Sequence, residues 1–211
     1  MTDTRLHSEP CLSAHGLACE RDERILFSGL EFTLARGELL QVEGENGAGK
    51  TSLLRLLCGL AEPAEGEIRW RGMPIDTQRG EFHQELLYLG HHSGIKLELS
   101  PRENLAFYAG MTAAVESARL EQALDAVGLY GYEEQPARTL SAGQRRRVGL
   151  ARLMVSQAPL WVLDEPFTAL DKVGVAWLQE LLERHLDQGG LVVLTTHQPL
   201  TLTRPFRRLA L

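Results

Sequence analysis

The sequence predicts an α/β fold built on a parallel sheet, and three observations carry that reading. Residues 160–163 and 191–194 are short, continuous apolar runs without the alternation of a half-exposed strand. A helical pattern over about 173–187 separates them, so strand and helix alternate. The apolar run Leu39-Leu40-Gln41-Val42 enters a glycine-rich turn and then a leucine-periodic helix. Strands of this kind sit in a sheet covered by helices on both faces.

Taken in order, residues 1–10 read as a frayed end. Residues 30–34 form a strand ending in the turn Ala35-Arg36-Gly37, and the strand from Leu39 stops at Gly44. The next helix carries Leu53, Leu54, Leu56, Leu57 and Leu60 at spacings of three and four, with Gly59 and Pro63 marking its end. Residues 66–75 resemble an antiparallel hairpin edge, and 86–89 form a short strand. From Pro101 the character changes. Helices are expected over 101–108, about 116–127 (stopped by Gly128) and about 142–156, as a helical insert. The expected division is one domain over 1–211, with a core at about 11–90 and 157–211 and a helical subdomain at about 91–156.

Composition excludes several function classes. Hydrophobic residues make up 44% of the 211, which is enough for a core without a structural metal or disulfide. The net charge of −6 argues against a general nucleic-acid binder. Cys11, Cys19 and Cys58 are far apart and lack CxxC spacing, which suggests free thiols in a reducing compartment. No apolar stretch reaches 18 residues, and the polar N-terminus is not a secretory signal. A cytosolic chain is expected, attached to a membrane only through partners.

The segment Gly44-Glu45-Asn46-Gly47-Ala48-Gly49-Lys50-Thr51 fits G-x-x-x-x-G-K-[ST] between a strand and a helix, with Ser52 just inside that helix. Glycines let backbone N–H groups curl around phosphate oxygens, and the helix N-terminus adds donors and partial positive charge. Lys50 is placed to reach the β and γ phosphates of ATP, and the Thr51 hydroxyl to ligate Mg²⁺.

The run 160–163 ends in Asp164-Glu165. At a strand end these carboxylates divide the chemistry: Asp164 holds Mg²⁺ and Glu165 polarises the attacking water. His197 follows the strand 191–195 at the end where ligands collect in open parallel sheets. There it senses the γ-phosphate and orients the water.

Leu140-Ser141-Ala142-Gly143-Gln144 opens the third insert helix, where Ser and Gly can donate to an anion. Lying between the phosphate loop and the acidic strand, it resembles the signature LSGGQ of ABC nucleotide-binding domains. Thr168-Ala169-Leu170-Asp171 is similar to their D-loop, and His197 to their switch histidine. The resemblance runs from about Leu12 to the end. It implies a RecA-like P-loop NTPase core with an inserted helical subdomain, and a homodimer in which Ser141, Gly143 and Gln144 cap ATP held by the other copy.

Three positions depart from the family pattern. Ala142 replaces the usual Gly. His91 falls where a glutamine normally assists the metal and water, which makes it a candidate Mg²⁺ ligand. Arg21 falls where an aromatic usually stacks on adenine. The segments LACERDERILFSGLEFTLARGE, LLYLGHHSGIK, LSPRENLAFYA and LSAGQRRRVGLARL narrow the likeness to the ATPase subunits of the bacterial haem exporter of cytochrome c maturation. That likeness implies an integral membrane permease subunit docking near residues 91–101, other cytochrome c maturation proteins as partners, and the cytoplasmic face of the inner membrane. The residues alone leave open a soluble ABC ATPase that remodels a protein complex without transport. His91-His92 reads as a loop pair rather than a haem site, and no Cys-Pro pair occurs.

Overall fold

The chain begins as a long antiparallel hairpin, β1 (Leu12–Arg21) and β2 (Arg24–Leu34). Asp22 and Glu23 turn it with φ of 51° and 61°, the conformation that matches the twist of paired strands. The computed structural model describes residues 11–110 and 116–211, so the segment expected to fray lies outside the described residues. β3 (Leu39–Glu43) then leads through the phosphate loop into α1 (Lys50–Leu57). β4 (Glu65–Trp70), β5 (Met73–Pro74), α2 (Arg79–Gln84) and β6 (Leu86–Leu89) follow. Next come α3 (Pro101–Gly110), α4 (Ser117–Ala126) and α5 (Ala142–Val155). β7 (Leu160–Asp164), α6 (Lys172–Asp187), β8 (Leu191–Thr195) and β9 (Arg207–Ala210) complete the chain.

The strands form two sheets. One is antiparallel, in the order β2-β1-β4-β5. The other is parallel throughout, in the order β6-β7-β8-β3-β9. Every residue of β7 and β8 is buried, as continuous apolar runs require. Successive side chains serve opposite faces. Leu160, Val162, Leu191 and Val193 join α1 and the antiparallel sheet in one core. Trp161, Leu163, Val192 and Leu194 join α5 and α6 in another. Four leucines of α1 are buried, each contributing roughly 1.5–3 kcal/mol by leaving water.

The structure departs from expectation in five elements. Leu60 lies beyond α1 and is half exposed, because the helix closes at Gly59. Gly59 adopts φ 66°, its N–H donates to Leu56 O, and the Leu60 N–H reaches back to Arg55 O. That pair of bonds is the left-handed stop that glycine permits. β1 and β2 are longer than the short runs the sequence suggests, since register shifts interrupt their alternation. α2 buries only Phe82, and β9 is an arginine-bearing edge strand, so neither carries an apolar pattern.

α3, α4 and α5 pack around Leu105, Leu120, Leu124, Val148 and Ala151. The fully buried Asn104 ties the preceding loop to α3. Its amide donates to Lys96 O, Leu99 O and Ser100 O, and its Oδ1 accepts from the Lys96 N–H. α5 has two apolar faces: Leu150 and Leu153 toward the parallel sheet, Val148 and Ala151 toward the helices. Among the described residues, no helix is long and apolar enough to cross a membrane.

Candidate nucleotide site

Four neighbouring strands of the parallel sheet deliver the candidate residues at their carboxyl ends. His91 follows β6, Asp164 and Glu165 end β7, His197 follows β8, and the phosphate loop follows β3. Asn46, Gly47, Gly49, Lys50, Thr51, Ser52, His91, Asp164, Glu165 and His197 line one cavity of about 460 Å³, with Arg21 and Leu26 at its side.

The loop bends through Gly44, Gly47 and Gly49 at φ of 151°, 89° and 103°. Glycine suits position 49 by its positive φ, and a Cβ there would also sit a tight 3.2 Å from Leu26 Cβ. The first turn of α1 carries no acidic residue, so its N-terminal partial charge is left for an anion. The Lys50 ammonium folds over the loop and donates to Gly44 O at 2.7 Å and Glu45 O at 3.1 Å. A hydrogen bond joins the loop to the acidic strand. Thr51 Oγ1 donates to Asp164 Oδ2 at 2.9 Å, across 113 residues of sequence.

Asp164 is 3% exposed, and its other oxygen accepts from Thr195 Oγ1 at 2.8 Å. Thr195 stands opposite Asp164 in the register of β7 and β8. The same hydroxyl accepts from the Glu165 N–H at 2.9 Å. Glu165 Oε1 is buried and has no hydrogen-bond partner among the described residues. His197 Nε2 lies 3.5 Å from it, too long for a hydrogen bond. Glu165 Oε2 takes a long 3.3 Å bond from the His197 N–H. A buried carboxylate oxygen without a donor beside a phosphate loop is where an acceptor for a water proton belongs.

The donor set fits Mg²⁺. A hard hydroxyl and a carboxylate from Thr51 and Asp164 already share one point, and magnesium takes only one or two protein oxygens beside phosphate and water. No cluster of three or more His, Cys, Asp or Glu occurs among the described residues, so the ligand set is not that of an all-protein cage.

Ser141 caps α5. Its hydroxyl oxygen accepts from the Gln144 N–H at 3.2 Å, and Gln144 Oε1 accepts from the Ser141 N–H at 2.9 Å. A serine that accepts at its oxygen keeps its proton to donate. These residues do not line the phosphate cavity of their own chain.

The family model for ABC transporters matches residues 27–168. The cytochrome c biogenesis ATP-binding export protein CcmA of Methylococcus capsulatus is 53% identical over 205 residues, covering 97% of this chain and 99% of its own. The chain belongs to the ABC transporter family, in its CcmA group. A solved ATP-binding subunit of an ABC transporter superposes with a TM-score of 0.81 at 25% identity, over 89% of this chain and 79% of that one. The fold is also that of an ATP-binding cassette solved as a dimer in a post-hydrolysis state with ADP and Pi. That match has a TM-score of 0.76 at 21% identity, over 89% of this chain and 88% of the other.

In this ABC chain the departures take definite places. Arg21 is exposed at the cavity side and pairs with Asp22 at 3.5 Å. His91 lines the cavity, and its ring meets His92 edge-on at 5.4 Å. Two residues escaped the sequence reading. Thr195 was legible only as a polar end to an apolar strand. Arg146 was one of three consecutive arginines, and only its spacing from Leu150 and Leu153 put it on the core face of α5. Burial lowers its guanidinium below the ordinary range, opposed by the Asp164 and Glu165 carboxylates.

Proposed function

We propose that the chain is the ATP-binding and hydrolysing subunit of an ABC transporter complex in c-type cytochrome biogenesis. It works as a homodimer at the cytoplasmic face of the bacterial inner membrane, with a CcmB-like permease and other cytochrome c maturation proteins, to export or hand over haem. The observation that carries the reading is the Thr51–Asp164 hydrogen bond, which closes the phosphate loop onto the acidic strand. The printed name of the Methylococcus relative supports the export role.

The backbone N–H groups of residues 44–52 cradle the phosphates of ATP, and Lys50 exchanges its loop carbonyls for phosphate oxygens. Thr51 and Asp164 would hold Mg²⁺, with His91 as a third candidate, and the bound ion would supply neutralisation of phosphate charge. Glu165 accepts a proton from the attacking water, and His197 orients that water toward the γ-phosphate. Ser141 and Gly143 of a second copy complete the phosphate shell, with Gln144 holding Ser141 in its cap. A Cβ at Gly143 would meet only Ser141 Oγ, at 4.0 Å, so the chain's own packing gives no reason for glycine there. The close approach of a phosphate supplies one. Closure with ATP and opening after hydrolysis transmit the work. The core comprises about 11–90 and 157–211, and the helical subdomain about 91–156.

The test is affinity purification of the chain from solubilised membranes of its host. A multi-span membrane subunit is expected to co-purify, and a deletion strain is expected to lose c-type cytochromes. Recovery only in a soluble assembly, with cytochromes intact, would leave the protein-remodelling ATPase as the better reading.

A further inference from the structure

Arg146 lies in the second turn of α5, yet among the described residues its guanidinium bonds only to backbone at strand ends of the parallel sheet. Its Nη1 donates to Gly90 O at 3.0 Å and more weakly to His91 O at 3.4 Å. Its Nη2 donates to Glu165 O at 2.7 Å and Asp164 O at 3.1 Å. The residue is 7% exposed. Each acceptor is a backbone carbonyl, so the contacts specify where backbone lies and do not form a charge pair. The planar fork makes the two sets of bonds mutually dependent.

The held backbone is strained. Glu165 sits at φ 49°, a region that residues other than glycine seldom adopt. Such a conformation persists where its surroundings over-determine it. Here Thr195 Oγ1 takes the Glu165 N–H and Arg146 takes its carbonyl. One turn along α5, Gly149 lets the helix press against the loop after β6, since a Cβ there would lie 2.8 Å from Ser93 Cβ. The same helix begins with the Ser141–Gln144 cap.

We propose that Arg146 is a positioning residue for hydrolysis. Its guanidinium ties α5 to the carbonyls of Asp164 and Glu165, so the Glu165 carboxylate of one chain is aimed only while that chain's own signature helix is seated. The competing account is a buried arginine that only anchors the fold. The inference rests on the ATPase reading of the site.

The test measures ATP turnover, ATP affinity and melting temperature on the purified full-length chain. Arg146→Met and Arg146→Lys are made alone and with Glu165→Gln, and Val155→Ala on the far turn of α5 serves as a stability match. Arg146→Met is expected to lower kcat by at least about tenfold, the scale of a misplaced reacting group, with the ATP Kd changed less than about twofold. Arg146→Lys, which keeps the charge but not the fork, recovers part of the rate. In the Glu165→Gln background, Arg146→Met changes the residual single-turnover rate less than about twofold, because the two act as one unit. Should Arg146→Met fail to fold, Arg146→Lys carries the same cycle. Wild-type kcat in the variants, multiplicative losses in the double variant, or a loss no larger than that of an equally destabilised Val155→Ala would each overturn the proposal. An active wild type with indifferent Arg146 variants defeats this inference alone. A wild type without ATP turnover defeats the ATPase reading beneath it.

Discussion

Lys50 reaches only loop carbonyls, Gly44 O and Glu45 O, so its side chain contributes little to the fold and much to whatever replaces those acceptors. Lys50→Ala is therefore expected to melt within a few degrees of wild type, to weaken ATP binding at least about tenfold and to abolish turnover. Titration with a fluorescent ATP analogue and a phosphate-release assay check this. Normal turnover would remove the phosphate-loop assignment. Residues of this kind were legible because their chemistry is local in sequence. The glycine bend, the lysine and the threonine occupy one eight-residue pattern, and the two acids end one apolar run. Arg146 was not legible, because its partners come from 18 and about 55 residues away.

Elements carry a second kind of dependence. α6 is pinned to β7 by His185, whose ring stacks on Trp161 with centroids 3.7 Å apart and planes at 8°. Its Nε2 lies 3.1 Å from Pro159 O, so the neutral ring donates there. Burial pushes the imidazole down from 6.5 to about 4, against the opposing pull of the Pro159 and Leu191 backbone. The folded chain thus refuses a proton that the unfolded chain accepts. This contribution is intact above about pH 6.5 and is lost as pH falls toward 4, by up to about 3 kcal/mol. Thermal melts between pH 4.5 and 7.5 are expected to show the decline, and His185→Phe to flatten it. An unchanged slope in that variant would assign the acid sensitivity to other groups. Element type was readable for β3, β6, β7 and β8 from continuous apolar runs, and for α1 and α6 from a 3.6-residue helical pattern. It failed at α2, with one buried anchor, and at β9, whose arginines give it no apolar run.

In the proposed arrangement the whole molecule offers half a site. The phosphate cavity is lined by the loop, the acidic strand and both histidines, while the capped Ser141 turn stands outside that lining. A second copy supplies the missing donors in the proposed arrangement. Glu165→Gln keeps the shape of the site and removes the proton acceptor, so with ATP and Mg²⁺ it is expected to accumulate as a dimer of twice the 23.5 kDa chain mass. Light scattering after size exclusion reads this directly. A monomer under saturating ATP would count against closure around nucleotide.

The amino-acid sequence by itself determined the α/β class, the order of the motifs and the identity of the phosphate-loop and acidic residues. Each depends on periodicity or on neighbours a few positions apart. Only the tertiary structure decided which strand ends lie side by side, that Thr51 closes on Asp164, and that Arg146 clamps the backbone of Glu165. Those are pairings between distant segments. They arise from sheet order and from helix packing on the sheet, and no local pattern of residues encodes either one alone.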